Sequence, residues 1–163
     1  LAGRATLGRL LLHADVVLEG SRPRALHSMG IVAEDVVAAG PAVWVSITAY
    51  GRSGTAGQRV GIGDDAAVAG GLVAWEDGKP RFCADAVADP LSGLVAAAAA
   101  VEAVDRGGRW LVDVALADVS RHLAGPTAPV PSGCTAEPAV ARRFRGAASA
   151  FGADTAAVVG ALR

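Results

Sequence analysis

Two short β-branched runs set the strongest limit on what this chain can fold into. "ADVVLEG" (14–20) and "PAVWVSITAYG" (41–51) are valine-rich, short and bounded by glycine, as buried strands are. Between them, "SRPRALHSMGI" reads as a turn and a short helix with Pro23 in its first turn, and "VAEDVVAAG" as a helix closed by Gly40. Strand, helix and strand at this spacing require a crossover connection and so a parallel sheet. Composition agrees. With 52% hydrophobic but only 4% aromatic residues, the core must be built from Ala, Val and Leu, which suits helices packed closely on a valine-rich sheet.

The remaining pattern extends this α/β order. A helix over 5–13 precedes the first strand. After the second strand come a glycine-rich loop (51–63), a helix from about Asp64 to Trp75, a turn at "EDGKP" and a short strand at 81–84. A long alanine-rich helix then runs from Asp89 to about Asp105, and "WLVDVAL" is a strand that enters a helix near Asp118. Residues 125–146 read as a surface loop, and Asp154 as the cap of a terminal helix. The expected organisation is an α/β core over 1–125, followed by a Pro/Gly/Ala-rich connection and C-terminal helix over 126–163.

A formal net charge of -1 with no basic block argues against nucleic acid or an anionic membrane surface as the partner. The longest apolar run is interrupted by Glu102, and the first residues carry no signal-peptide pattern, so the expected location is the cytoplasm. Cys83 and Cys134 lack CxxC or histidine-spaced partners, so no metal site is expected. The first residue, Leu1, is not methionine, and a missing upstream segment is expected.

Several motifs invite a chemical reading. "GIGDDA" (61–66) fits the dinucleotide-binding glycine pattern, but a loop precedes it, and Asp64 and Asp65 would repel a phosphate. Asp64 reads better as a helix cap. His13, His27 and His122 have no partner at catalytic spacing, and Ser53 lacks the setting of a nucleophile elbow. In "FCADAVADPLSG", Pro90 suits the first helical position and makes Asp89 the N-cap, where a carboxylate accepts backbone N–H bonds at the positive end of a helix. A purely structural cap and a reactive carboxylate both fit these residues. Asp85 has no such geometric argument.

Six segments in order resemble the family III CoA-transferases, the CaiB/BaiF family. They are "ADVVLEGSRP", "WVSITAYGRSG", "GDDAAVAGGL", "ADPLSGLVAAAAAVEAV", "RGGRWLVDVALAD" and "FGADTAAVVGAL". The resemblance implies a partial Rossmann-like open parallel sheet with flanking helices. It also implies acyl-CoA:carboxylate CoA transfer with Asp89 as the nucleophile, through an acyl-aspartyl anhydride and an aspartyl-CoA thioester. The implied partners are an acyl-CoA and a carboxylic acid acceptor, with coenzyme A thioester as substrate, no tightly bound cofactor, and a homodimer or partner subunit. Gly20, Ser21 and Arg22 occupy the implied CoA-holding segment. Gly20 and Ser21 stand where the family usually has Asn-Phe, and Ser28 where it commonly has a basic residue. The family's first strand would lie upstream of Leu1, and its second domain is reduced to the 126–147 loop, as in a truncated or reduced member. Gly63 replaces the histidine of the racemase branch, which disfavours racemization. Two other readings stay open: a non-catalytic, degenerate subunit that contributes an interface, and an unrelated nucleotide-binding α/β enzyme resting on "GIGDDA".

Overall fold

Three strands, each followed by a helix, form the centre of the molecule. A computed structural model describes residues 2–125 and 145–162. The parallel sheet has the order β1 (Val16–Glu19), β2 (Val43–Thr48), β5 (Trp110–Ala115), with Val17 beside Trp44 and Trp44 beside Leu111. This is the open parallel sheet expected from the two valine-rich runs. The central strand β2 is covered on both faces, which explains why its apolar residues run on rather than alternate.

Helices cover both faces of the sheet. On one side, α1 (Ala2–His13) and α3 (Ala33–Ala39) bring Leu11 and Val37 onto Val17 and Trp44. On the other, α5 (Ala88–Arg106) lays Ala96 and Ala103 on Val43, Val45 and Val114. A third cluster joins α4 (Gly63–Gly70), Ala88 and α6 (Leu116–Ala124) through Ala66, Ala67, Leu116 and Ala117. Small side chains let these last helices approach closely: a Cβ added at Gly70 would lie only 2.3 Å from Ser120 Cβ. The short α2 (Pro23–His27) follows β1 and begins with proline, as its sequence predicts. Residues Leu1–Gly125 form one compact unit and Pro126–Arg163 a second, in which α7 (Thr155–Ala161) follows Asp154. Cys134 and most of the 125–146 segment lie outside the described residues.

One element differs in kind from its sequence expectation. The helix begun at Gly63 stops at Gly70, because Gly71 takes a left-handed φ of 94° and its N–H closes the last turn. Trp75 therefore lies on a strand, β3 (Val73–Glu76), paired antiparallel with β4 (Lys79–Phe82). Asp77 and Gly78, with φ of 50° and 72°, make the two-residue turn between them. An Asp-Gly pair between two four-residue runs carried that signal; the expected strand at 81–84 starts two residues earlier, at Lys79.

A buried acid ties the sheet to its loops. Glu19, at the end of β1 and 7% exposed, accepts hydrogen bonds from Ser46 Oγ (2.7 Å), Ser21 Oγ (2.5 Å) and Trp44 Nε1 (3.4 Å). Arg52 lies 3.7 Å from the same carboxylate and donates to Ser46 Oγ and to Glu34, while its backbone N–H donates to Asp113 of β5 at 2.9 Å. The Glu34 carboxyl is held below its ordinary value of 4.5, chiefly by its own backbone N–H; burial opposes this, and the Arg52 charge and hydrogen bond add to the lowering. Replacing Glu19 by alanine leaves Trp44 and Ser46 without their buried acceptor. Glu19→Ala should lower stability by about 2–4 kcal/mol, and Glu19→Gln, which keeps an acceptor oxygen, by clearly less. Urea denaturation midpoints of the three proteins check the order.

Candidate active site

The C-terminal ends of the parallel strands open onto a cleft of about 430 Å³. Open α/β sheets place ligand sites at this edge, because the loops there diverge and leave a crevice. Gly20, Ser21 and Arg22 follow β1, Ile47 to Gly51 end β2, and Leu116 follows β5; all line the cleft. The loop from Ala56 to Ile62 forms a further wall. Asp89, from the first turn of α5, completes it. Gly20, Ser21, Arg22 and Asp89, separated by about seventy residues of sequence, thus share one cleft; Asp85 is exposed in the preceding loop and is not among the lining residues.

The electrostatic character of the cleft is simple. Its charged lining consists of two arginines, Arg22 and Arg59, and one acid, Asp89. Arg59 is steadied by the Tyr50 ring, with its guanidinium carbon 4.4 Å from the ring centroid. Among the described residues Arg22 has no ion-pair partner, and the Asp89 carboxylate accepts no hydrogen bond. Two cations and a single unengaged carboxylate suit an anionic ligand that carries an electrophile. Ser21 is a different case: its hydroxyl is turned to Glu19 Oε1 rather than to the cleft. Among the described residues no group of three or more His, Cys, Asp or Glu side chains could hold a metal ion. His13 Nδ1 donates to the Arg9 carbonyl, His27 lines a separate cleft of about 300 Å³, and His122 lies on α6.

Asp89 is not the helix cap that its sequence suggests. The N-cap is Val87, Ala88 is the first helical residue, and Asp89 is the second. The helix starts early because Ala88 is fully buried against α4 and α6, and the Asp89 N–H closes a turn on the Ala86 carbonyl at 3.0 Å. Tertiary burial outweighs the local preference of Pro90 for the first position. Asp64 is likewise not a simple cap. It is the second residue of α4, and its carboxylate accepts the Ala86 N–H at 2.8 Å, while Asp65 accepts the Ile62 N–H of its own helix. A loop and a single 3₁₀ turn (Ala56–Gln58) precede "GIGDDA", so the strand a dinucleotide fingerprint needs is not there.

Gly63 is the residue that the sequence reading undervalued. A Cβ added there would lie 2.5 Å from Asp89 Oδ2 and 2.8 Å from the Ala86 backbone oxygen. The carboxylate of Asp89 therefore rests against the bare backbone at the start of α4. Nothing in the local pattern around Arg59 and Tyr50 places them at the cleft, yet both line it. The available signal is a basic residue eleven positions beyond the end of the buried strand β2.

The family is shown by comparison with known proteins. The model of CoA-transferase family III matches residues 1–153, and the chain belongs to that family. It is 34% identical over 123 residues to the probable fatty acyl-CoA transferase Rv3272 of Mycobacterium tuberculosis, covering 71% of this chain and 31% of that protein. It is 29% identical over 111 residues to the succinyl-CoA–D-citramalate CoA-transferase of Chloroflexus aurantiacus, covering 66% of this chain and 28% of that protein. Among solved structures, a CaiB/BaiF family protein from Brucella suis superposes with a TM-score of 0.66 at 28% identity, over 76% of this chain and 35% of that one. The chain spans about a third of the length of these relatives.

Close approach at Gly63 yields a test by contrast with Gly93, on α5, where an added Cβ would meet nothing within 4 Å. Gly93→Ala should stabilise the protein by about 0.5–1 kcal/mol, the ordinary gain of alanine over glycine in a helix. Gly63→Ala should instead destabilise it by about 1–3 kcal/mol through overpacking against a backbone atom. Thermal melts of the two variants should move in opposite directions.

Proposed function

We propose that this chain carries the acyl-transfer half of a family III CoA-transferase site, acting on acyl-CoA thioesters and a carboxylic acid acceptor with Asp89 as nucleophile. The observation that carries the reading is the cleft itself, lined by one unengaged carboxylate and two arginines at the C-terminal edge of a parallel sheet. Arg22 and Arg59 suit the phosphates of a CoA ester, and Asp89 suits its electrophilic carbonyl. In the proposed reaction an Asp89 oxygen attacks the thioester carbon and the C–S bond breaks, giving a mixed anhydride and CoA thiolate. The thiolate then attacks the Asp89 carbonyl carbon, releasing the original acyl group as a carboxylate and leaving an aspartyl-CoA thioester. The acceptor carboxylate attacks that thioester, and the thiolate returns to the acceptor's acyl carbon, which regenerates Asp89. The named relatives support the class: one is called a probable fatty acyl-CoA transferase and the other a succinyl-CoA–D-citramalate CoA-transferase. The acyl group itself is not part of the proposal.

A second reading is favoured by specific observations. The Ser21 hydroxyl is engaged by Glu19, Gly20 offers no side chain, and α5 exposes Leu94 (70%), Val101 (64%) and Val104 (51%) along its length. An apolar helix face of that kind suits a second subunit, so the chain is proposed to act within a homodimer or beside a partner subunit. A degenerate, interface-forming member would share this face and lack turnover. Among the described residues no helix is long and apolar enough to cross a membrane.

Turnover, trapping and binding measurements test these readings. Asp89→Asn should reduce acyl transfer by at least about 10³-fold, while stability changes by less than about 1 kcal/mol, the scale of one carboxylate at a helix start. Asp85→Asn should leave turnover intact. Hydroxylamine added during turnover should label residue 89, read by peptide mass spectrometry; an active Asp89→Asn protein, or label at Asp85, removes Asp89 from the nucleophile role. CoA itself should bind weakly. Two lost contacts at about 1–2 kcal/mol each carry a micromolar dissociation constant toward the millimolar range, and a submicromolar constant by calorimetry contradicts this account of positions 20 and 21.

A further inference from the structure

Two acids stand together at the start of α4, and only one of them serves its own helix. Asp65 accepts the Ile62 N–H at 3.2 Å. Asp64 reaches instead across 22 residues of sequence to the Ala86 N–H, at 2.8 Å in a half-buried setting. Ala86 is one of two non-glycine residues with positive φ among the described residues, at 45°. Alanine avoids that left-handed region because its Cβ crowds the following carbonyl, so something outside the residue must hold it there.

We propose that Asp64 is a positioning residue for Asp89: by holding the Ala86 N–H it fixes the left-handed turn from which α5 starts, and so aims the Asp89 carboxylate into the cleft. This rests on the reading of Asp89 as nucleophile given above. Among the described residues the start of α5 has no other hydrogen bond from a distant side chain. Its N-cap is Val87, without a side-chain cap, and the residues leading into it, Cys83, Ala84 and Asp85, are exposed. Ala88, fully buried, sets how deep the first turn sits. Ser92, Ala96 and Ala103, also buried, fix the body of the helix, and the Asp64 bond to Ala86 fixes the left-handed turn that leads into its first residues. The chain of contacts is continuous, since Ala86 also accepts the Asp89 N–H and its carbonyl lies over Gly63, beside the Asp89 carboxylate. Asp64 touches neither the proposed substrate nor the reacting atoms. Its effect is on aim.

A merely structural acid and a positioning acid differ in what their removal changes. Asp64→Ala should lower kcat for acyl transfer by about 10²-fold, the cost of displacing a reacting group by roughly an ångström, with KM for acyl-CoA little changed because residues 20–22 are untouched. Asp64→Asn keeps an acceptor oxygen and should retain most of the activity. Amide hydrogen exchange at Ala86 and Asp89 should rise in Asp64→Ala, not in Asp64→Asn, and not in the second half of α5. Should Asp64→Ala fail to fold, Asp64→Ser with Ala86→Gly carries the same readouts, since glycine accepts the left-handed turn. Wild-type kcat and unchanged exchange in Asp64→Ala, with Asp89→Asn inactive, overturn the positioning role alone. An active Asp89→Asn protein overturns the nucleophile on which it rests.

Discussion

A single buried carboxylate organises the functional edge of this molecule. Glu19 sits where β1 ends, inside the protein, and gathers Ser21, Trp44, Ser46 and Arg52 around it. A buried acid is stable only when its oxygens are satisfied, so the neighbours' positions are not independent. Trp44 and Ser46 belong to the central strand, Arg52 to the loop after it, and Arg52 in turn grips Asp113 on β5 through its backbone. One acid thereby locks the three strand ends in register with the loops that follow them. Those loops are the walls of the cleft.

The other half of the site arrives from a different layer. Asp89 rises from a helix packed on one face of the sheet, and it can reach the strand ends only because α4 presents backbone where a side chain would collide. Alanine-rich packing makes this geometry possible. With Ala66, Ala67, Ala88 and Ala117 at the meeting of α4, α5 and α6, the helices come close enough for loop 84–87 to be tethered to α4. A core built of larger side chains would separate those elements and with them the two halves of the cleft. The low aromatic content is thus tied to the site as well as to the fold.

Membership of CoA-transferase family III places these features in a known structural class, of which the chain spans about a third of the relatives' length. In the β1 loop, Gly20 carries no side chain and the Ser21 hydroxyl is turned to Glu19. Among the described residues Arg22 and Arg59 have no ion-pair partner, and Arg59 is supported by an aromatic ring.

The strands and most helices could be read from the chain because their signals are local. Valine runs bounded by glycine, proline at the start of α2 and glycine at the end of α3 act over a few residues, and the folded state kept all of them. The resemblance in six segments also pointed to the family, since it depends on order and spacing rather than on contacts. The helix expected to reach Trp75 shows the limit: apolar continuity concealed the Gly70–Gly71 break, although the Asp77–Gly78 turn was legible. Asp89 shows it more sharply. Local chemistry made it a cap, but burial of Ala88 begins the helix before it, and long-range contacts with Gly63 and Ala86 set its surroundings. The sequence by itself determined the parallel α/β framework, because periodicity and turn chemistry are properties of neighbours along the chain. Only the tertiary structure decided that Asp64 holds Ala86 and that Asp89, Arg22 and Arg59 line one cleft, because those meetings depend on how closely separate layers pack.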